Sequence, residues 1–242
     1  MLSRLVKVRK GLSLLRYPHL ARVMFSHRVA ATTEHFDAIR ICAANTLLDA
    51  GANKGQFSLA FRALRPGAQI IAYEPLPAAA DLYEEVLPPD GRTRLQRVAL
   101  SSSEGSAKFY VADRADSSSL LPPGIGQERA FGVRGATTIE VPISRLDACV
   151  DFAGLAHPIL LKVDVQGGEL ELFKGCDTLA EVDLIYVELS FAELYEGQPL
   201  FQEVTDYLQT RGFTIAGIFN QVITDEFGPT QVDALFKRAN SN

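Results

Sequence analysis

Short aliphatic runs alternate along this chain with segments in which apolar residues recur at helical spacing. A few turn-forming residues, mainly glycine, proline, asparagine and aspartate, join each run to the next segment. Strands that alternate with helices in this way build βαβ units, whose strands lie parallel in one sheet. We therefore predict an α/β fold with a doubly wound, mostly parallel sheet.

Seven strands and four of the intervening helices can be placed from this pattern. The predicted strands are Thr46–Ala52, Gln69–Glu74, Arg94–Leu100, Ile159–Val165, Leu184–Leu189, Phe213–Phe219 and Val232–Lys237. The predicted helices are Gln56–Leu64, Ala78–Val86, Glu169–Gly175 and Leu200–Arg211. With 242 residues, 47% hydrophobic and 22% charged, the chain has the length and composition of one large domain around one core.

The stretch from Ser101 to Asp147 interrupts the alternation. It holds two strand-like segments, AKFYVA and TTIEVPI, separated by a segment rich in serine, proline and glycine. Long loops in compact domains are often functional. We predict a domain over residues 35–242 with a loop insertion near 101–147 that covers the binding site.

Residues 1–34 form a basic head. Residues 1–28 contain seven Lys and Arg residues but no Asp or Glu, and because the whole chain carries −5, the remainder carries −12. Leucines lie among the cations, which predicts an amphipathic helix that either packs on the domain or contacts a membrane surface.

Charge, cysteine and histidine content exclude several classes of protein. The acidic body argues against nucleic-acid binding, which needs a basic surface for phosphate contacts. Three widely spaced cysteines and four histidines lack disulfide or metal-ligand patterns. No apolar run has the length of a secretory or transmembrane segment. We expect a cytoplasmic protein, for which the sequence also allows a homo-oligomer.

The segment LLDAGANKGQF, residues 47–57, joins the first strand to the next helix. Gly51, Asn53 and Gly55 allow the backbone to approach a ligand closely, and the helix start offers free N–H groups. Asp49 lies near the carboxyl end of the first strand, and Glu74 ends the second. In Rossmann-type units an acid near the position of Glu74 accepts hydrogen bonds from ribose hydroxyls. The pattern therefore predicts a nucleotide-like ligand.

The identity of this ligand follows from what the turn lacks. The middle glycine of the dinucleotide motif G-x-G-x-x-G is absent, and Asp49 would repel a pyrophosphate. A carboxylate suits an ammonium or sulfonium group, which favours S-adenosylmethionine. Two alternatives are an NAD-dependent oxidoreductase, disfavoured because no Tyr-x-x-x-Lys pair is present, and a non-catalytic cofactor-binding module.

Seven motifs follow one another in the order found in the FkbM family of methyltransferases. They are LLDAGANKGQFSLAFRAL, IIAYEPLP, QRVALSSSEGSAKFYV, DSSSLLP, LLKVDVQGGELELFKG, DLIYVELSFAELYEGQPLF and QVDALFKR. The chain resembles this family over about residues 35–238. The resemblance implies a class I methyltransferase, Rossmann-like fold with a seven-stranded sheet, an antiparallel last strand and helices on both faces. It also implies S-adenosylmethionine-dependent O-methylation of a small molecule, such as a sugar or glycosylated metabolite.

The resemblance also assigns cofactor contacts. With the serines of the insertion, the predicted cofactor-binding residues are Asp49, Gly51, Asn53, Gly55, Glu74, Pro75, Val98, Ala99, Ser118 and Ser119. The first four would face the methionine part, Glu74 would hold the ribose, and Val98 and Ala99 would lie near the adenine. The serine hydroxyls are donors suited to the cofactor carboxylate or to a polar acceptor.

Methyl transfer to a hydroxyl requires an aligned acceptor oxygen and a group that helps to remove its proton. The predicted catalytic residues are Asp164, Glu188 and Lys162, at the ends of two strands. Asp164 is the first candidate for a base or an acceptor contact. Lys162 points the same way two residues earlier, so the two could also be a structural ion pair. Glu188 either acts on the acceptor or fixes the neighbouring loop.

Metal dependence and the acceptor are left open by the sequence. Asp164, Glu169 and Glu188 are candidate ligands of Mg²⁺, which prefers carboxylate oxygens, but no dedicated metal motif is present. A sugar, a polyketide and a lipid-linked glycan would each supply a hydroxyl acceptor.

Overall fold

The described residues, 17–133 and 136–239 of this computed structural model, fold around a seven-stranded sheet. Across the sheet the strands are β3 (Thr93–Gln96), β2 (Gln69–Tyr73), β1 (Thr46–Ala50), β7 (Ile159–Val163), β8 (Leu184–Ser190), β10 (Gly228–Arg238) and β9 (Phe213–Thr224). Strands β3, β2, β1, β7 and β8 run parallel to one another, whereas β10 is antiparallel to both β8 and β9. The predicted mostly parallel sheet with an antiparallel last strand is confirmed.

Helices cover both faces of this sheet. They are α1 (Pro18–His27), α2 (Phe36–Cys42), α3 (Gln56–Leu64), α4 (Pro77–Val86), α5 (Ile125–Phe131), α6 (Leu146–Cys149), α7 (Glu169–Lys174) and α8 (Phe201–Thr210). Leu47 packs in the apolar cluster under α2, α3 and α4, whereas Leu48 packs in the cluster under α6, α7 and α8. Successive strand side chains point to opposite faces, so one short strand contributes to both cores.

The predicted strand Arg94–Leu100 is wrong as a single element. Its first part is β3 in the main sheet, and its last part is β4 (Ala99–Leu100), which pairs with another strand in a separate sheet. A turn in which Val98 N–H donates to the Gln96 carbonyl separates them. The strand pattern carries no information about which sheet each part joins.

Residues 101–147 are more ordered than the predicted loop insertion. Both strand-like segments form strands, β5 (Gly105–Ala112) and β6 (Ala136–Ser144), which pair antiparallel. With β4 they make a three-stranded sheet around a small core of Ala99, Phe109 and Val141. This sheet stands beside the carboxyl end of β2.

The part of the basic head that the structure describes, α1, packs on the domain through Leu20, which is 1% exposed. Arg4, Lys7, Arg9, Lys10 and Arg16 lie outside the described residues. Within residues 17–133 and 136–239, no helix combines the length and apolar character needed to cross a bilayer.

Candidate active site

A cleft of about 1140 Å³, counted with its open mouth, lies at the carboxyl ends of β2, β1, β7 and β8. Its far wall includes Asp233 of β10. Four strand-to-strand steps of about 4.8 Å separate β2 from β10, so the cleft runs ~19 Å across the sheet. Ligands of open α/β sheets bind at this edge, and the span accommodates a nucleoside at one end and a second molecule at the other.

Most of the predicted site residues line this cleft. They are Gly51, Asn53, Glu74, Pro75, Val98, Ala99, Ser118, Lys162, Asp164 and Glu188. Phe109 and Leu120 of the 101–147 segment also line it, as expected of an insertion that covers the site. Asp49, Gly55, Ser119 and Glu169 are not among the lining residues, and each is held elsewhere by neighbours described below.

Asp49 is buried behind the cleft, although the resemblance placed it against the methionine part. Its Oδ2 accepts a hydrogen bond from Ser58 Oγ at 2.6 Å, and its Oδ1 lies 3.4 Å from Lys162 Nζ. Asp49 and Lys162 are paired in the β1 and β7 register, which places their side chains together. The carboxylate thus anchors a buried ammonium.

The two glycines of the turn have different neighbours. Gly51 has φ of +72°, and a Cβ on it would lie 1.9 Å from the Asp164 carbonyl oxygen. Gly55 has φ of +85° and begins α3, and a Cβ there would lie 3.1 Å from the Tyr83 ring. Gly51 therefore lets two ligand-facing turns touch, whereas Gly55 shapes the helix start away from the cleft.

Glu74 is the buried carboxylate at the β2 end of the cleft. Its Oε2 accepts from Asn53 N–H and its Oε1 from Leu76 N–H, both at 2.8 Å. Burial raises the pKa of Glu74 to about 7, although the two N–H donors act in the opposite direction. Beside it, Asn53 Oδ1 is buried with no hydrogen-bond partner among the described residues. This end offers acceptors to a polar ligand.

Gln166 joins the ends of β7 and β8. Its Nε2 donates to Asp164 Oδ1 at 2.6 Å and lies 3.2 Å from Glu188 Oε2, to which Gln231 also donates at 2.7 Å. Burial, followed by the charges of nearby carboxylates including Asp164 and Asp233, raises the pKa of Glu188 well above its ordinary value. Burial thus favours the protonated form of Glu188, whereas the two amide donors on Oε2 favour the ionised form.

Lys162 lies between two carboxylates, 3.4 Å from Asp49 Oδ1 and 3.5 Å from Asp164 Oδ2. Its Nζ also donates to the Gly51 carbonyl at 3.1 Å. Burial alone would lower the pKa of Lys162, but the charges of the two aspartates outweigh burial and raise it to about 12. Lys162 therefore lies within ion-pair distance of Asp164, and its contacts connect the turns after β1 and β7.

Ser119 and Tyr195 both hydrogen-bond to Gln166. Ser119 Oγ donates to the Gln166 carbonyl at 2.6 Å, and the Tyr195 hydroxyl lies 2.7 Å from Gln166 Oε1 and 3.0 Å from the Ser117 carbonyl. Only Ser118 of this serine run lines the cleft. Ser119 thus supports the site without facing a ligand.

The candidate Mg²⁺ ligands are not brought together. In the part of the chain that the structure describes, no three His, Cys, Asp or Glu side chains form a group that could hold a metal ion. Glu169 is buried, its Oε1 accepts from Gly167 N–H at 3.0 Å, and burial raises its pKa to about 7. It supports the turn after β7.

A second polar cluster at the β10 end was missed by sequence reasoning, which considered His35 only as a metal ligand. His35 Nδ1 lies 3.0 Å from the Tyr186 hydroxyl and 3.3 Å from Asp233 Oδ2. Asn220 Nδ2 donates to the same Asp233 oxygen at 2.8 Å. One signal was available, because an acid inside the apolar strand VDALF needs a buried partner.

The model of the methyltransferase FkbM domain matches residues 49–215 of this chain. The chain belongs to the FkbM methyltransferase family. The 2-O-methyltransferase NoeI of Sinorhizobium fredii is 35% identical over 170 residues, covering 67% of this chain and 70% of NoeI. Methyltransferase sdnD of Sordaria araneosa is 29% identical over 229 residues, covering 84% and 86%.

A solved structure supports the fold of this FkbM methyltransferase. The crystal structure of a Klebsiella pneumoniae protein described as a candidate O-methyltransferase covers 96% of both chains with a TM-score of 0.52 at 13% identity.

In this FkbM methyltransferase, the two ends of the cleft differ in chemistry. The β2 end holds Glu74 and apolar walls, whereas the β8 and β10 end holds carboxylates, Gln166 and His35.

Proposed function

We propose that this enzyme transfers a methyl group from S-adenosylmethionine to a hydroxyl of a small molecule, a sugar or a glycosylated metabolite. The observation that carries the proposal is Glu74, a carboxylate fixed by Asn53 N–H in the cleft at the end of β2. The relative named as a 2-O-methyltransferase supports an oxygen acceptor. When bound, S-adenosylmethionine supplies an electrophilic methyl group on a sulfonium.

The residues at the β2 end fit this cofactor. Each oxygen of Glu74 accepts one backbone N–H, so each retains a lone pair for a ribose hydroxyl. Asn53 Oδ1, which has no partner among the described residues, is a further acceptor. Val98 and Ala99 provide an apolar wall for the adenine. The negative charge of Asp164 at the cleft attracts a cationic sulfonium or ammonium.

The other end of the cleft fits a hydroxyl-bearing acceptor. Asp164 is 36% exposed and can accept a hydrogen bond from a hydroxyl of the acceptor. Glu188 also lines the cleft and can hydrogen-bond a second oxygen of the same molecule. Lys162 keeps the turns after β1 and β7 in place. Several donors and acceptors in one cleft suit the dense hydroxyls of a sugar.

Calorimetric titration tests the cofactor assignment. S-adenosylmethionine and S-adenosylhomocysteine should bind the purified protein and NAD should not, and the Glu74→Ala variant should lose this binding. Glu104→Ala, at an exposed position, is the matched control and should bind normally. Binding of NAD alone, or of no adenosyl ligand, would refute the methyltransferase mechanism and favour the oxidoreductase or the non-catalytic module.

Mass spectrometry then identifies the acceptor. The enzyme is incubated with S-adenosylmethionine and a panel of methyl glycosides, hydroxylated polyketides and lipid-linked glycans, with Mg²⁺ or with EDTA. We expect methylated glycosides in both conditions. Methylation of polyketides alone would reassign the acceptor, and loss of product in EDTA would show that a metal takes part.

We also place the enzyme in the cytoplasm. Cys42, Cys149 and Cys176 are free thiols, as is usual in a reducing compartment. Cell fractionation of the expressed protein measures this directly, and recovery in the membrane fraction would instead point to the basic head as an anchor.

A further inference from the structure

The acceptor end of the cleft holds a histidine whose Nε2 has no hydrogen-bond partner among the described residues. His35 lines the cleft, with 18% of its side chain exposed, next to the β8 and β10 strand ends. Its Nδ1 faces the Tyr186 hydroxyl and Asp233. No hydrogen bond from residues 17–133 or 136–239 reaches its Nε2. One nitrogen is therefore held, and the other is open to a ligand.

The partners of Asp233 determine which nitrogen of His35 carries the hydrogen. Tyr186 donates its single hydroxyl hydrogen to Asp233 Oδ2 at 3.0 Å, and Asn220 donates to the same oxygen. Asn220 Nδ2 lies 3.2 Å from the Tyr186 oxygen and 3.0 Å from His35 Nδ1. With the second Asn220 hydrogen on the Tyr186 oxygen, the lone pair that remains on this oxygen accepts from His35 Nδ1, 3.0 Å away. A neutral imidazole with hydrogen on Nδ1 has its lone pair on Nε2.

The other polar groups of the acceptor end are weaker proton acceptors. Both oxygens of Asp164 are engaged, one by Gln166 and one by the ammonium of Lys162. Burial among other carboxylates raises the pKa of Glu188, and its Oε2 already accepts from Gln166 and Gln231. His35 Nε2, by contrast, has no hydrogen-bond partner among the described residues.

We propose that His35 Nε2 accepts the proton of the acceptor hydroxyl, with Tyr186 and Asp233 positioning the ring. The acceptor oxygen forms the new O–C bond, the S–C bond breaks with its electron pair going to sulfur, and the hydroxyl proton passes to Nε2. The Asp233 carboxylate stabilises the imidazolium that results, and solvent removes the proton afterwards. This role rests on the proposed function.

The groups packed around His35 come from four elements. Tyr186 (β8), Asp233 (β10) and Asn220 (β9) face its Nδ1, and the ring of Phe57 (α3) lies 5.3 Å from its ring. Lys162 Nζ of β7 also lies over the Phe57 ring, 5.7 Å from its centre. Asp233 is the charged group in contact with the imidazole.

Nitrogen NMR tests the tautomer without an acceptor. Two-bond ¹H–¹⁵N spectra of ¹⁵N-histidine-labelled protein at about pH 8, where an ordinary imidazole is neutral, should show His35 with hydrogen on Nδ1. The His35→Gln spectrum assigns the signal, and Asp233→Asn should shift the tautomer ratio. Hydrogen on Nε2 in the wild type would overturn the proposal, whatever the activity.

Kinetics test the proton transfer itself with an acceptor found by the screen. His35→Gln should lower kcat by about 10²-fold to 10⁴-fold, the usual contribution of a general base, and should leave the calorimetric Kd for S-adenosylmethionine unchanged. Its kcat should also lose the acid limb of the wild-type pH profile. An unchanged kcat in His35→Gln would refute the proposed role of His35 and leave the proposed function standing. A wild type that binds no S-adenosylmethionine would refute the proposed function itself.

The control for these kinetics is a second histidine with the same kind of partner. His157 Nδ1 lies 2.5 Å from Asp183 Oδ2 at the amino end of β7, remote from the cleft. His157→Gln should keep the wild-type kcat and pH profile. An equal loss of kcat in both variants would show that losing either histidine–aspartate contact lowers activity by destabilising the protein. That result would overturn the proposal.

Discussion

Gly51 and Asp164 touch across two adjacent strand ends, since a Cβ on Gly51 would lie 1.9 Å from the Asp164 carbonyl oxygen. This contact sets the distance between the turn after β1 and the turn after β7. Both turns line the cleft. The width of the proposed cofactor site therefore depends on the absence of one side chain.

Gly51→Ala is expected to abolish cofactor binding and to lower the midpoint of thermal unfolding. The new methyl group overlaps backbone, which cannot rotate away, and alanine at positive φ costs about 1 to 2 kcal/mol besides. Gly91→Ala is the control, because Gly91 has φ of +79° with open space around it. Equal losses in the two variants would show that backbone strain alone, without overlap, explains the effect.

Glu74→Gln is expected to flatten the pH dependence of cofactor binding. Without a ligand, the Glu74 carboxyl has a pKa of about 7. Ribose hydroxyls that donate to this carboxyl favour its ionised form. Wild-type affinity should therefore rise with pH through about 7, whereas the amide variant should bind more weakly and equally at each pH. Calorimetric titrations across this range measure both. A wild-type affinity that is independent of pH would contradict the assignment of Glu74 to the ribose.

Glu169→Gln is expected to gain stability over the wild type as pH rises. Burial raises the folded-state pKa of Glu169 from 4.5 to about 7. The contribution of Glu169 to the free energy of unfolding is therefore fully present below about pH 4.5 and is lost as the pH rises through about 7. The difference between pH 5 and pH 8 should be on the order of 2 to 3 kcal/mol in urea unfolding.

Glu171→Gln, at the neighbouring exposed turn of α7, is the control for this experiment. Contact with Lys174 lowers the pKa of Glu171, so its substitution should change stability slightly and in the opposite sense. A Glu169→Gln variant whose advantage does not grow with pH would show that Glu169 is ionised at little cost in the folded protein.

Lys162→Met is expected to destabilise the protein by about 3 to 5 kcal/mol, because it leaves the buried Asp49 carboxylate without its cation. The double variant with Asp49→Asn should recover part of this loss. Chemical denaturation of the two single variants and the double variant measures the coupling. Arg40→Met, in the exposed pair with Asp37, should cost less than about 1 kcal/mol. Strict additivity of the two buried substitutions would argue against the pairing.

The sequence alone indicated the mostly parallel sheet, the glycine turn after β1 and the acid Glu74 at the end of β2. Each of these features depends on residues that are neighbours along the chain. The strand pattern predicted which segments form strands, and glycines with a strand-end acid indicated the ligand edge of the sheet. Strand boundaries were accurate to within two residues except at Arg94–Leu100, β9 and β10, whose ends depend on partners rather than on local preference.

Only the tertiary structure decided which polar groups meet. Asp49 sits at a strand end like Glu74, yet its register with Lys162 buries it behind the cleft. His35 has no informative sequence neighbours, and its partner Tyr186 is 151 residues away. Local backbone preferences specify strands and turns over a few residues, whereas a hydrogen-bonded cluster depends on strand order and helix placement, which bring distant residues within 3 Å.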